Sequence, residues 1–205
     1  MGLGLWRYTW MKLLFPQVKW EVTKSPHVYL TFDDGPHPIV TPKVLRVLKA
    51  YGIKATFFCV GKNAHAYPEL IEALKKEGHC IGNHTFAHEK GWKTGRTSYL
   101  KSVDATREIL ESKLFRPPYG KINPFCIRAL KKRGYQIIMW SWLSRDYNRN
   151  ISNQQIVLAA NGIKAGDIMV FHDSQKTADR IETLLHEIIP MIQAKKLTFR
   201  TFVDL

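Results

Sequence analysis

HVYLTFDDGPHPIVTPKVLRVLKAYGIKATFFCV, residues 27–60, holds one complete strand–helix–strand unit. HVYLTFD (27–33) is rich in β-branched and aromatic residues and reads as a strand. TPKVLRVLKAYG (41–52) reads as a helix, with Gly52 where a C-terminal stop belongs. KATFFCV (54–60) is the second strand. The same alternation continues outward. A helix at 68–78 leads to a strand at 79–84, and a long amphipathic helix at 95–113 leads to a strand at 114–118, stopped by two prolines. A helix at 123–134 and a strand at 135–142 follow, then a helix at 152–162 with Ser152 as its N-cap. A strand at 166–173, a helix at 178–195 and a strand at 197–202 complete the chain.

About seven strands joined by helices predict an α/β fold with parallel strands and right-handed crossovers. At 205 residues the chain is short for a full eightfold barrel, which takes about 250. The expectation is a smaller or incompletely closed barrel. Chemistry in such folds sits at the C-terminal ends of the strands. Asp33, Asp34, His84, His88, Arg116, Asp146 and His172 all fall there.

Composition narrows the partners. The 45% apolar content fits one domain, here 26–205, preceded by an aromatic and basic extension at 1–25. The net charge of +14 serves solubility or points to an anionic partner, such as a phosphorylated glycan, an acidic membrane surface or nucleic acid. Nucleic acid is the weakest of these, because the basic residues are scattered and no nucleic-acid motif occurs. Cys59, Cys80 and Cys126 lie far apart and read as buried, inert thiols. No signal peptide or membrane span is visible in the sequence, so the expectation is a cytoplasmic or membrane-peripheral protein with a role at the cell envelope. The extension mixes Trp6, Trp10 and Trp20 with Arg7, Lys12 and Lys19; it either lies at a membrane interface or, as favoured here, packs back on the domain.

Two imidazoles four residues apart, His84 and His88, would share one face of a helical turn. With one carboxylate and an open position they make a zinc-type donor set. Asp33 and Asp34 are adjacent acids, costly to place together without a cation nearby. One could bind metal while the other takes a proton from water. RPPYG (116–120) supplies a cation and a stiff turn that could aim the Tyr119 or Gly120 amide at a developing oxyanion. His172 ends an apolar strand beside Asp173 and could act as a general acid oriented by a carboxylate. Each of these features has an ordinary structural explanation when taken alone.

Taken together, TFDDGP (31–36), HTFAH (84–88), RPPY (116–119), SRDY (144–147) and VFHD (170–173) resemble, in order, the motifs of the polysaccharide deacetylase family, carbohydrate esterase family 4. The resemblance runs from about residue 26 to the C-terminus. It implies a distorted, incomplete (β/α) barrel with a divalent metal at its mouth, usually zinc, with cobalt, nickel or manganese as alternatives. By the same resemblance Asp33 is the general base, while Asp34, His84 and His88 hold the metal. Tyr119 offers its backbone N–H to the oxyanion, Arg116 orients the base, His172 is the general acid and Asp146 tunes it. The implied substrate is an N-acylated glycan.

The sequence also departs from the family pattern. Leu143 stands where the fourth motif usually has its first Asp, and Tyr147 stands where it has Trp. Val170 replaces the usual Leu two places before the last histidine, and Glu89 replaces the proline that often follows the second motif. Tyr147 and Val170 are therefore expected to shape the acyl pocket. Two rival readings remain: a deformylase or deacetylase of a lipid-linked aminosugar, which suits the basic charge, and a glycan-binding module without chemistry.

Overall fold

The computed structural model describes residues 15–202. β1 (His27–Asp33) is followed by α1 (Val40–Ala50), β2 (Thr56–Cys59), α2 (Gly61–Ala66), α3 (Pro68–Lys76) and β3 (Cys80–Asn83). Then come α4 (Arg96–Leu110), β4 (Leu114–Phe115), α5 (Pro124–Lys132), β5 (Gln136–Ile137) and β6 (Trp142–Leu143). α6 (Asn153–Ala160), β7 (Ile168–His172), α7 (Ile181–Ala194) and β8 (Thr198–Phe199) end the described chain. The strands form one parallel sheet in the order β5-β4-β3-β2-β1-β7-β6, with β8 paired to the start of β1.

β1 is the axis of the sheet and is buried on both faces, as a parallel strand covered by helices must be. Its side chains alternate. Val28, Leu30 and Phe32 enter a core shared with Val44 and Leu48 of α1 and Leu184, Leu185 and Ile188 of α7. Burying each such side chain contributes about 1.5–3 kcal/mol. Tyr29, Thr31 and Asp33 occupy the opposite face. There Tyr29 joins a second cluster with Phe58, Phe115, Ile138 and Val170, while Thr31 and Asp33 both meet Arg116.

The predicted strand at 135–142 is divided. β5 pairs with β4 at one edge of the sheet, and β6 pairs with β7 at the other. Between them the chain changes partners residue by residue. Ile138 N–H bonds the Phe115 carbonyl, Met139 N–H bonds the Lys19 carbonyl and Ser141 N–H bonds the Ile168 carbonyl. Residues 136–143 thus join both edges, which curls the sheet into a distorted, incomplete barrel. Lys19 belongs to the segment read as an extension. Its neighbours Val18 and Trp20 are buried, whereas residues 1–14, including Trp6, Arg7, Trp10 and Lys12, lie outside the described residues.

Local signals explain the helix ends. Gly52, at φ +63°, turns the chain after α1. Ser152 caps α6 and closes a capping box with Gln155. α2 was not expected from the sequence; β1 spans the expected 27–33, while the later strands are shorter than their apolar runs suggest. All three cysteines are free and buried. Among the described residues, no helix is long and apolar enough to cross a membrane.

Candidate active site

Asp33 ends β1, and Asp34 turns away at φ +77°, a left-handed conformation that Asp tolerates better than most residues. The reversal sends the two carboxylates to different partners. Asp33 Oδ1 accepts a hydrogen bond from Arg116 Nη1 at 2.7 Å. Arg116 is fully buried, yet its donors are matched: Nη1 also reaches Thr31 Oγ1, Nε the Ile138 carbonyl and Nη2 the Met139 carbonyl. Its guanidinium lies 4.1 Å from the Phe58 ring centroid. A buried charge needs this degree of pairing to be tolerated.

Asp34 faces the histidines. Its Oδ1 lies 3.0 Å from His88 Nε2 and 3.6 Å from His84 Nε2. These three ligand atoms all lie within 4.8 Å of one another. The expected helical turn at 84–88 is absent. The segment is a loop, and left-handed residues at Thr85 (φ +62°) and His88 (φ +57°) bring the rings together instead.

The donor set fits a divalent cation. The Arg116 carbonyl accepts from His84 Nδ1 at 2.7 Å, which fixes the tautomer and leaves Nε2 with its lone pair toward Asp34. Burial pushes the His84 imidazole down to about 4, so it is neutral and able to ligate near pH 7. Burial alone would raise Asp34, but the His88 hydrogen bond and the charges of His172, His84 and His88 hold its carboxyl well below the usual range.

His172 ends β7. Its Nδ1 lies 2.7 Å from Asp146 Oδ1, and its backbone N–H donates to Asp146 Oδ2 at 2.8 Å. Burial opposes the charged imidazolium, but the Asp146 charge and hydrogen bond, helped by Asp34 and Asp33, push it up to about 9. The orienting carboxylate is therefore Asp146 and not the adjacent Asp173. Asp173 turns beneath the loop at Gly35 and accepts from Thr41 Oγ1 at 2.6 Å. A Cβ on Gly35 would lie only 2.1 Å from Asp173 Oδ2, so glycine is required there.

A cavity of about 230 Å³ is lined by Asp33, Asp34, His84, His88, Tyr119, Tyr147, Val170 and His172. Arg116 and Asp146 lie buried behind it, bonded to Asp33 and His172. Asp33, Asp34, His84, His88, Arg116, Tyr119, Asp146, Tyr147, Val170 and His172 are thus brought together here, whereas Asp173 and Glu89 do not line the cavity. Leu143, Trp140 and Lys176 also line it. Trp140 hides within an apolar run, and Lys176 resembles any solvent lysine; its only sequence signal is that it lies four residues after His172. Gly120 N–H is engaged by the Pro117 carbonyl at 3.0 Å, which leaves the Tyr119 amide as the candidate oxyanion donor.

The site's geometry agrees with its likeness to known proteins. A family model described as polysaccharide deacetylase matches residues 21–138, more than half of the chain. A peptidoglycan-N-acetylglucosamine deacetylase of Bacillus cereus is 33% identical over 196 residues, covering 92% of this chain and 92% of its own length. A chitooligosaccharide deacetylase of Azorhizobium caulinodans is 30% identical over 186 residues, covering 82% of this chain and 89% of its own. The crystal structure of a peptidoglycan N-acetylglucosamine deacetylase in complex with 4-naphthalen-1-yl-N-oxidanyl-benzamide matches with a TM-score of 0.86 at 29% identity, covering 94% of each chain. This chain belongs to the polysaccharide deacetylase family.

Proposed function

We propose that this protein removes the acetyl group from an N-acetylated amino sugar of a cell-envelope glycan, peptidoglycan above all, by metal-assisted amide hydrolysis. The observation that carries this reading is the sharing of one cavity by a three-donor cation site and two separately held proton-handling groups. The family and the named activities of its relatives point the same way.

In this mechanism Asp34, His84 and His88 hold the cation, zinc by its match to one carboxylate and two imidazoles. When bound, the cation would supply Lewis acidity, which polarises a carbonyl and brings the pKa of water to about 7. Asp33, fixed by Arg116, takes a proton from the attacking water. The Tyr119 N–H faces the developing oxyanion, a contact worth about 3 kcal/mol in comparable sites. His172, charged through Asp146, then protonates the leaving nitrogen, which is too basic to depart as an anion. Leu143, Tyr147, Val170 and Trp140 form the apolar wall for the acyl methyl. A binding module has no use for a general acid of this kind.

The test is acetate release from peptidoglycan and from N-acetylated chitooligosaccharides, with and without a chelator. Metal-dependent release with appearance of free amine supports the reading; no release from either substrate by the metal-loaded protein sinks it. A second reading rests on Lys176, the only Lys or Arg among the described residues lining the cavity. It favours a substrate bearing an anionic group, whether a carboxylate-bearing sugar or a phosphorylated, lipid-linked aminosugar.

A further inference from the structure

The loop after His88 builds a wall that the deacetylation chemistry does not use. Glu89 replaces the family's proline and closes the loop on itself: Ala87 N–H donates to Glu89 Oε2, and Glu89 N–H donates to Thr85 Oγ1, both at 3.1 Å. The next three residues run beside Tyr119–Ile122 like the teeth of a zip. Lys90 Nζ lies 4.8 Å from the Tyr119 ring centroid. Gly91 packs so closely that a Cβ would meet the Lys121 carbonyl oxygen at 2.6 Å and Ile122 Cα at 3.1 Å. Trp92 Nε1–H donates to the Ile122 carbonyl at 2.9 Å.

Trp92 is nonetheless 71% exposed. Leaving a large aromatic surface in water is unfavourable, and here the hydrogen bond to Ile122 fixes the ring instead of burying it. Tyr119, the neighbouring aromatic, already packs against His88 with ring centroids 4.6 Å apart and lies under Lys90. The catalytic cavity, about 230 Å³, is smaller than the roughly 300–1,000 Å³ of an ordinary ligand pocket. Further units of a glycan must therefore lie outside it, along the rim. Tyr119 belongs to both the cavity and this zipped wall, so the rim is continuous from one to the other.

We propose that Trp92 is the platform of a second sugar subsite. A pyranose further along the glycan lays its C–H face on the fixed indole, with Lys90 and Lys121 on the same wall. This rests on the deacetylase reading and adds which side chain of this chain holds the neighbouring sugar.

The experiment compares N-acetylglucosamine with its β-1,4-linked tetramer for the wild type and for Trp92→Phe and Trp92→Met. With Trp92→Met, kcat/KM for the tetramer falls about three- to tenfold further than that for the monomer, mainly through KM, as expected for one aromatic contact. Trp92→Phe, which keeps a ring, recovers most of the difference. Equal losses on tetramer and monomer, or Phe no better than Met, would overturn the subsite. If the wild type deacetylates neither of these sugars, acetate release from peptidoglycan remains the separate test of the deacetylase reading. Calorimetric binding of the tetramer then decides: weaker binding by Trp92→Met supports the platform, and an unchanged Kd removes it.

Discussion

Asp33 and His172 are register partners on the adjacent parallel strands β1 and β7. The candidate base and acid are therefore spaced by a hydrogen-bonded ladder, and the Asp173 N–H adds a bond to the Asp33 carbonyl at 3.2 Å. Cation binding uses other side chains. Asp33→Asn is accordingly expected to keep its fold and metal while losing about 10²–10⁴ in kcat. His84→Ala and His88→Ala should instead purify with much less zinc by elemental analysis. Full metal occupancy in both histidine variants would sink the ligand assignment, and near-normal turnover by Asp33→Asn would remove the base.

His172 supplies the pH signature. Against burial, the Asp146 carboxylate raises its imidazole from the ordinary 6.5 to about 9, so the acid is available below that and lost as pH rises through it. Asp146 is the largest of the groups raising it. Asp146→Asn should shift the alkaline limb of kcat downward toward neutrality. The sign for stability is the same: the His172–Asp146 pair contributes fully below about 6.5, and its contribution disappears as pH rises through about 9. An alkaline limb that does not move in Asp146→Asn, measured on an amide substrate, would take the acid role away from His172.

Arg116 carries a stability prediction. Replacing it with Met leaves Asp33, Thr31 and the carbonyls of Ile138 and Met139 without their common donor in a dry interior. Removing one partner of a buried ion pair costs about 3–5 kcal/mol. For a chain of this size that is a fall of roughly 6–20 °C in Tm. Calorimetry showing a change of less than a degree or two would mean that Arg116 is not what holds Asp33.

Lys176 makes the net charge testable. If it meets an anionic group on the substrate, Lys176→Met should raise KM at low salt and leave kcat nearly unchanged. Salt should weaken the effect, because exposed charges are screened over about 10 Å at 0.1 M. A neutral chitooligosaccharide is the control and should show no salt dependence. KM values that stay flat for carboxylated and phosphorylated substrates alike would leave the basic surface to solubility.

The alternation of strands and helices was legible because parallel strands buried on both faces give unbroken apolar runs, and glycine marked the end of α1. The site was legible because its chemistry lies at strand ends, where Asp33, His84, Arg116 and His172 interrupt those runs. Spacing was a poorer guide to local geometry. A spacing of four from His84 to His88 suggested a helical turn, but the convergence comes from two left-handed residues that a pattern of types does not encode. Adjacency suggested Asp173 as the partner of His172, yet the next residue along the chain turns under Gly35, and Asp146 arrives from another loop. The run at 135–142 read as one strand because pairing partners leave no mark in an apolar sequence. Trp140 and Lys176 were missed for a related reason: nothing in their types separates a pocket wall from core or surface.

Residues 136–143 make the molecule a split collar with one buckle. One side of the opening carries the cation site, the other the proton donor, and opposite β1 the circumference is completed by this single run. Trp140 stands in the buckle and reaches the opening, where a Cβ on Gly120 would come within 2.7 Å of its ring. Lengthening or trimming the buckle after Met139, beyond the two carbonyls that hold Arg116, would resize the aperture while leaving Asp34, His84, His88, Asp33 and His172 on their own strands and loops. That makes it the first place to engineer acceptance of a bulkier acyl group.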